Sequence, residues 1–516
     1  MSLSNIMSKS GIDDSSVPSS SHQLPTIRTI TAFVALFPSD FRDGIDYELS
    51  PFPTLEAKLK PIFHGLKELE RTYQQAGYTV QTLRLATNPF GEWLVETSAD
   101  DCFVQQKRLN ALDDILSRHG IFACGVGPAK SLNELACCRQ IVGTSDKFSC
   151  SFMLPYCNDE YAEKAAQTIY DISTLDPKGL TNFQFCVAAQ TCRPWIPFFP
   201  IAYHEVDELD RGDSSTPMVR FAIGLENGPL VRRLLQDCQS ISHLDTIFRH
   251  GYTQALLLVQ EIARTFSAVT AVKPDDPKTA IENLDSDFQE VLFGTVLPSM
   301  YPEVAADLEK SGYNIHRNHA FPNNDHNNNS SSNNNNNSIY DSCHFQFVGI
   351  DTSINPSLDE NTGSVASAME CLAQVRRFGG PGTMAAAAAI TQIIQSLEGI
   401  QRTGYCGLML PVCEDRRLAE LASSAPRLSI VHLLNISSVC GVGVDTVPIP
   451  GHTIDGHEEA ISNLQSLLLD VIGLAERWNK PLTCRVFPVP GMRQGELTDF
   501  SDSPYLVDST IFSLEY

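Results

Sequence analysis

Ile27-Arg28-Thr29-Ile30-Thr31-Ala32-Phe33-Val34 is β-branched and apolar, the composition of a strand. Beyond it Leu55, Leu59, Ile62, Leu66, Leu69 and Tyr73 recur every three or four residues, which predicts a helix from about Thr54 to a stop at Gly77. Thr79-Val80-Gln81-Thr82-Leu83-Arg84-Leu85 then alternates as a second strand and ends at Asn88-Pro89. Strand, helix and strand in that order form the unit of a parallel sheet, because parallel neighbours need a long crossover.

The alternation continues. A helix over 102–119 closes on Gly120 before a strand-like 121–124. Further periodic segments lie at 159–173, 218–224, 246–265, 345–350, 364–377, 385–397, 407–411, 428–434, 458–478 and 482–489, with 407–411 and 428–434 read as strands. So many units exceed a simple open sheet of five or six strands, and an α/β barrel is expected. Residues 26–516 are read as one large domain behind a Ser-rich tail, 1–25. The Asn-rich stretch 314–338 cannot bury enough apolar surface to order itself and is expected to be a disordered surface loop.

The 516 residues carry a net charge of -24, which argues against nucleic acid and against anionic membranes as partners. No run approaches the length of a membrane span, and residues 1–23 lack an apolar signal core. Fifteen cysteines without a C-x-x-C pair are read as reduced thiols, so a cytoplasmic location is expected. A homo-oligomer is left open, and the segment 437–451 points to a small molecule as the partner.

Chemistry concentrates at segment ends. In Ser437-Ser438-Val439-Cys440-Gly441-Val442-Gly443-Val444-Asp445, a thiol and a carboxylate flank Gly441 and Gly443, where the backbone can approach a ligand closely. Cys440 is a candidate nucleophile or ligand contact, and equally a small buried hydrophobe. Asp445 is a candidate acid/base, or a cap of its own turn.

Glu414 and Asp415 end the 407–411 segment and could act as acid/base or hold a divalent metal, the one cofactor left open. Acidic residues at a helix start are also ordinary. His452, Asp455 and His457 are a weaker metal set. Asp351 closes an apolar strand, and Gly380 lies in a glycine-rich turn whose amides could hold an anion. Arg485 sits in an apolar strand and needs a carboxylate, from Asp445, Glu414 or an anionic substrate. Cys150 and His204 are lesser candidates.

Ile27-Arg28-Thr29-Ile30-Thr31, Phe148-Ser149-Cys150-Ser151, Gly349-Ile350-Asp351, Leu410-Pro411-Val412-Cys413-Glu414-Asp415, Val439 to Asp445 and Cys484-Arg485-Val486-Phe487-Pro488 follow one another in an order that resembles the proteins grouped as domain of unknown function 711. The resemblance implies a ten-stranded α/β barrel similar to that of pyruvate formate-lyase and related glycyl radical enzymes. It does not imply their chemistry. Their signature places a radical-bearing glycine where this chain has Pro488 after Arg485-Val486-Phe487. Cys440 is left as an architectural counterpart of their active cysteine. The function expected is a non-radical enzyme acting on a small anionic organic substrate, with a metabolite-binding protein as the alternative.

Overall fold

The computed structural model describes residues 24–42, 51–97, 102–211, 218–271, 343–358, 363–451, 457–500 and 502–514. The Ser-rich tail as far as residue 23, the Asn-rich stretch, His452 and Asp455 lie outside them, as does the side chain of His457. The strands are β1 (Thr26–Val34), β2 (Val80–Thr87), β3 (Val95–Thr97), β4 (Cys102–Val104), β5 (Ala123–Ala129), β6 (Phe148–Leu154), β7 (Phe185–Ala189), β8 (Met218–Glu226), β9 (His344–Asp351), β10 (Gly443–Pro450) and β11 (Thr483–Val489). The helices are α1 (Pro53–Gln75), α2 (Gln106–His119), α3 (Leu132–Val142), α4 (Asp159–Ser173), α5 (Glu208–Arg211), α6 (Gly228–Cys238), α7 (Arg249–Ala271), α8 (Val365–Met369), α9 (Thr383–Ile394), α10 (Arg416–Ser423), α11 (Ile430–Ser437) and α12 (His457–Trp478).

The fold is mixed α/β around a nine-stranded sheet of order β10-β11-β7-β6-β5-β2-β1-β8-β9, with β3 and β4 forming a small separate pair. Strands β7, β6, β5, β2 and β1 run parallel. The pairs β8–β9 and β10–β11 flank that block, each antiparallel to it. Segment 402–411 adds isolated parallel bridges at both outer strands: Ile350 to Arg402, Ile354 to Leu408, and Pro411 to Asp445.

The helices cover one face. All six periodic residues of α1, from Leu55 to Tyr73, are buried there, and Gly77 takes the left-handed conformation that ends the helix. Alternate strand residues such as Ile30, Leu85, Phe148, Cys150, Cys484 and Val486 join the same core. The other face is curled. Strands β1 and β11 lie five strand positions apart, about 24 Å in a flat sheet. Yet both oxygens of Glu414 are shared between arginines on those two strands.

Several segments depart from the sequence reading. Within 102–119, read as one helix, Cys102–Val104 form strand β4 and the helix starts at Gln106. Of residues 428–434, read as a strand, those from Ile430 onward belong to helix α11, so Cys440 follows a helix. Ile430, Leu433 and Ile436 turn to the core at helical spacing while Val431 is exposed, and Ser429 with His432 caps the start. A seven-residue stretch with five apolar residues hides that period. The 407–411 strand is reduced to its bridges. Of the periodic segment 364–377, Val365–Met369 alone is helical.

Candidate functional site

Arg485 is the centre. On β11 its neighbours Cys484 and Val486 pack under the helices, so the guanidinium emerges on the curled face. It stands in register with Asp445 of β10. Its Nε donates to Asp445 Oδ1 at 2.6 Å and its Nη2 to Oδ2 at 3.1 Å, a bidentate pair. Nη2 also donates to Glu414 Oε1 at 2.7 Å, Nη1 donates to the Phe183 carbonyl at 3.3 Å, and the Phe183 ring centre lies 4.8 Å away. Burial alone disfavours this charge, but Asp445 and Glu414 more than reverse that and raise the Arg485 pKa.

Two bulges aim the charges. In β10 the register steps from Asp445–Arg485 to Val447–Val486, leaving Thr446 as an extra residue at φ 43°. In β1 it steps from Ile27–Leu225 to Thr29–Gly224, leaving Arg28 extra. Ile27 and Ile30 both remain in the helix-side core. The bulge therefore frees Arg28 to reach across, and its Nη2 donates to Glu414 Oε2 at 3.1 Å.

Arg84 completes the group. Leu83 and Leu85 of β2 pack under the helices, so Arg84 points to the curled face. Its guanidinium lies 5.2 Å from the Phe199 ring centre and 5.7 Å from that of Phe122, and its Nε donates to Thr82 Oγ1. Among the described residues it has no carboxylate partner. Burial and then the Arg28 charge push its pKa down to about 9, with Glu414 opposing. It remains cationic at neutral pH. Among the described residues three guanidiniums thus face two carboxylates, which leaves one positive charge uncompensated. The floor is buried, with Glu414 and Arg485 side chains 7% and 8% exposed, while Arg28 is 22% exposed. Phe122 and Tyr505, whose rings meet at 6.1 Å, are exposed beside Arg84 and mark an open side.

Cys440 is not in this network. It packs in the helix-side core, and burial pushes its thiol up to about 12 despite Lys480 nearby. Such a thiol is neutral at pH 7. Cys150 shares that core, and His204 Nε2 meets Asp210 at 2.9 Å.

Asp351 is buried and accepts backbone hydrogen bonds from Ser353, Tyr405 and Cys406, folding the 403–407 turn around itself. Gly380 donates its amide to the Arg377 carbonyl. The backbone of Gly441 lies against Gly407. Gly443 has φ +102°, and a Cβ there would sit 2.1 Å from the Thr483 carbonyl. Gly443→Ala is therefore expected to cost about 3 kcal/mol or more, from left-handed strain plus separation of β10 from β11. A urea denaturation midpoint within error of wild type would contradict it.

Asp415 is fully buried and caps two helices. It accepts from Leu418 N at 3.0 Å in α10, and from Ser364 Oγ and Val365 N at the start of α8. These bonds occupy the carboxylate that the sequence reading offered to a metal. Among the described residues no group of three His, Cys, Asp or Glu is placed to hold a metal ion.

Burial nevertheless raises the Asp415 pKa to about 6. Ionisation is thus harder in the folded state, and the residue's contribution to stability falls as pH rises from about 4 to about 6. The stability advantage of wild type over Asp415→Asn should shrink across that window, by about 3 kcal/mol at most. Denaturation curves at pH 4 and pH 7 check this, and an advantage that grows with pH contradicts it.

A cavity of about 400 Å³ lies along α10, bordered by Arg416, Glu420, Ser423 and Asp508. Another of about 150 Å³ is bordered by Arg427, Ser429 and Gln494. Neither is lined by the residues of the arginine network. Arg28 and Arg84 carried the same signal as Arg485, a guanidinium in an apolar strand, without a motif to single them out.

Comparison with known proteins supplies lineage. A segment of 156 residues is 31% identical to a UPF0210 protein of Pyrobaculum arsenaticum, covering 30% of this chain and 33% of that protein. A UPF0210 protein of Bifidobacterium longum is 31% identical over 160 residues, 30% and 33% of the two chains. One of Lacticaseibacillus paracasei is 29% identical over 154 residues, 29% and 32%. The chain spans about a third of the length of the curated relatives it matches. The model of the family described as Uncharacterised ACR (DUF711) matches 20–289 and 317–502. Those two spans hold all the network's residues, Arg28 and Arg84 in the first, Glu414, Asp445 and Arg485 in the second, and the chain belongs to the DUF711 family.

Proposed function

We propose that the protein binds a small anionic organic molecule, a carboxylate or phosphate, on the curled face of its sheet. Arg84 is the anchor, and Arg28 and Arg485 add to the attracting field. The observation that carries this is the Arg84 guanidinium, which has no carboxylate partner among the described residues and lies against two rings and near two further arginines. A sequestered cation without a counter-charge is costly, and an incoming anion would relieve that cost.

The same reading closes the sheet into a ten-stranded barrel with 402–411 as the tenth member. In support, that segment bridges in parallel to residues at the ends of both outer strands. Counting it, five parallel strands (β7, β6, β5, β2, β1) oppose five others (β8, β9, 402–411, β10, β11). The fourteen described cysteines are free thiols, which suits a reducing, cytoplasmic setting.

Binding is favoured here over catalysis by Cys440, since that thiol is neutral and packed away from the arginines. The test is a thermal-shift screen of small carboxylates and phosphates, with product analysis on each stabilising compound. Stabilisation without product supports a binding role. Turnover that requires Asp445 or Glu414 would make the protein an enzyme. No stabilisation by any small anion would overturn the proposal.

A further inference from the structure

Two serines on β6 say what the ligand's body is made of. Phe148, Cys150, Phe152 and Leu154 pack under the helices, whereas Met153 packs on the curled face. Ser149 and Ser151 share the parity of Met153 and point to that same face. They are 5% and 0% exposed, and neither hydroxyl has a hydrogen-bond partner among the described residues. Buried hydroxyls are almost always satisfied, so an unpaired pair needs a reason.

Their positions join them to the arginines. Ser149 is in register with Gly125, and a Cβ at Gly125 would touch the Phe199 ring at 3.5 Å. That is the ring on which Arg84 stacks. Ser151 is in register with Cys186 of β7. In the antiparallel β7–β11 pairing Thr483 stands opposite Ala188 and Cys484 opposite Val187, so the next residue, Arg485, lies beside Cys186. The two hydroxyls therefore bridge the stretch of sheet between Arg84 and Arg485.

We infer that the ligand is a hydroxylated anion, a hydroxy carboxylate or polyol phosphate, whose charged group meets Arg84 and whose hydroxyls meet Ser149 and Ser151. This rests on the anion site proposed above and narrows its substrate class. A site built to hydrogen-bond a hydroxyl discriminates strongly against an analogue lacking it, because its own polar groups are then left unpaired.

The test is calorimetric titration of the full chain with gluconate and with hexanoate, which share chain length and charge but differ in hydroxyls. A second pair, glycerol 3-phosphate and propyl phosphate, covers the phosphate head group. Wild type should favour the hydroxylated member of at least one pair by about tenfold or more. In Ser149→Ala/Ser151→Ala that preference should fall below about twofold, with the melting temperature kept or raised because unpaired polar atoms are removed. Equal binding of both members in wild type overturns this inference and leaves the anion site standing. A preference that survives in the double variant also overturns it. Failure of all four compounds to bind sinks the anion site and the inference together.

Discussion

Arg485→Met is expected to cost about 3–5 kcal/mol of folding stability, the largest loss of any substitution in the network. Methionine fills much of the same volume, so packing is a minor part of the effect. The loss comes from stranding Asp445, which has a bidentate bond to Arg485, and from depriving Glu414 of its shorter contact. Both acids are largely enclosed, at 14% and 7% side-chain exposure. Arg28 continues to hold one Glu414 oxygen, which keeps the cost within that range. Adding Asp445→Asn to Arg485→Met should recover part of the loss, because the stranded charge is gone. Urea denaturation of the two variants checks this. A loss below about 1 kcal/mol for Arg485→Met would mean that the network behaves as a solvated surface pair.

Arg84→Met should do the opposite, sparing the fold and removing binding. Among the described residues Arg84 has no carboxylate to strand, and its charge is opposed by Arg28 and Arg485. The folded protein loses ring stacking worth about 0.5–2 kcal/mol and gains relief from like-charge repulsion, so stability should change little. Affinity for an anionic ligand should fall about 10- to 100-fold, the worth of a charge-assisted hydrogen bond. Calorimetry on a stabilising carboxylate or phosphate reads this directly. Unchanged affinity would move the anion elsewhere.

The alternating order of strands and helices was legible because each period is local. The α1 face from Leu55 to Tyr73 is an apolar stripe with a glycine stop, and the sheet's helix-side core follows from such stripes. Residues 428–434 were not legible, since a short run apolar on nearly every side carries no period. That misreading placed Cys440 at a strand end, whereas it follows a helix and its thiol packs in the core. The pairing of Arg485 with Asp445 and Glu414 could be anticipated from the cost of a lone buried charge. Arg28 could not, because it is turned inward by a bulge fixed in its pairing with β8. Asp351 and Asp415 show the limit of reading strand ends. Each carboxylate there is consumed by backbone amides of neighbouring turns, which are distant in sequence.

Anomalous diffraction from a crystal soaked in selenate tests the anion site most directly, since it locates the bound charge without assuming a ligand. The expected result is a selenium peak within hydrogen-bond distance of the Arg84 guanidinium, between the Phe122 and Phe199 rings. Peaks at other basic surfaces of the same crystal, with none at Arg84, would contradict it.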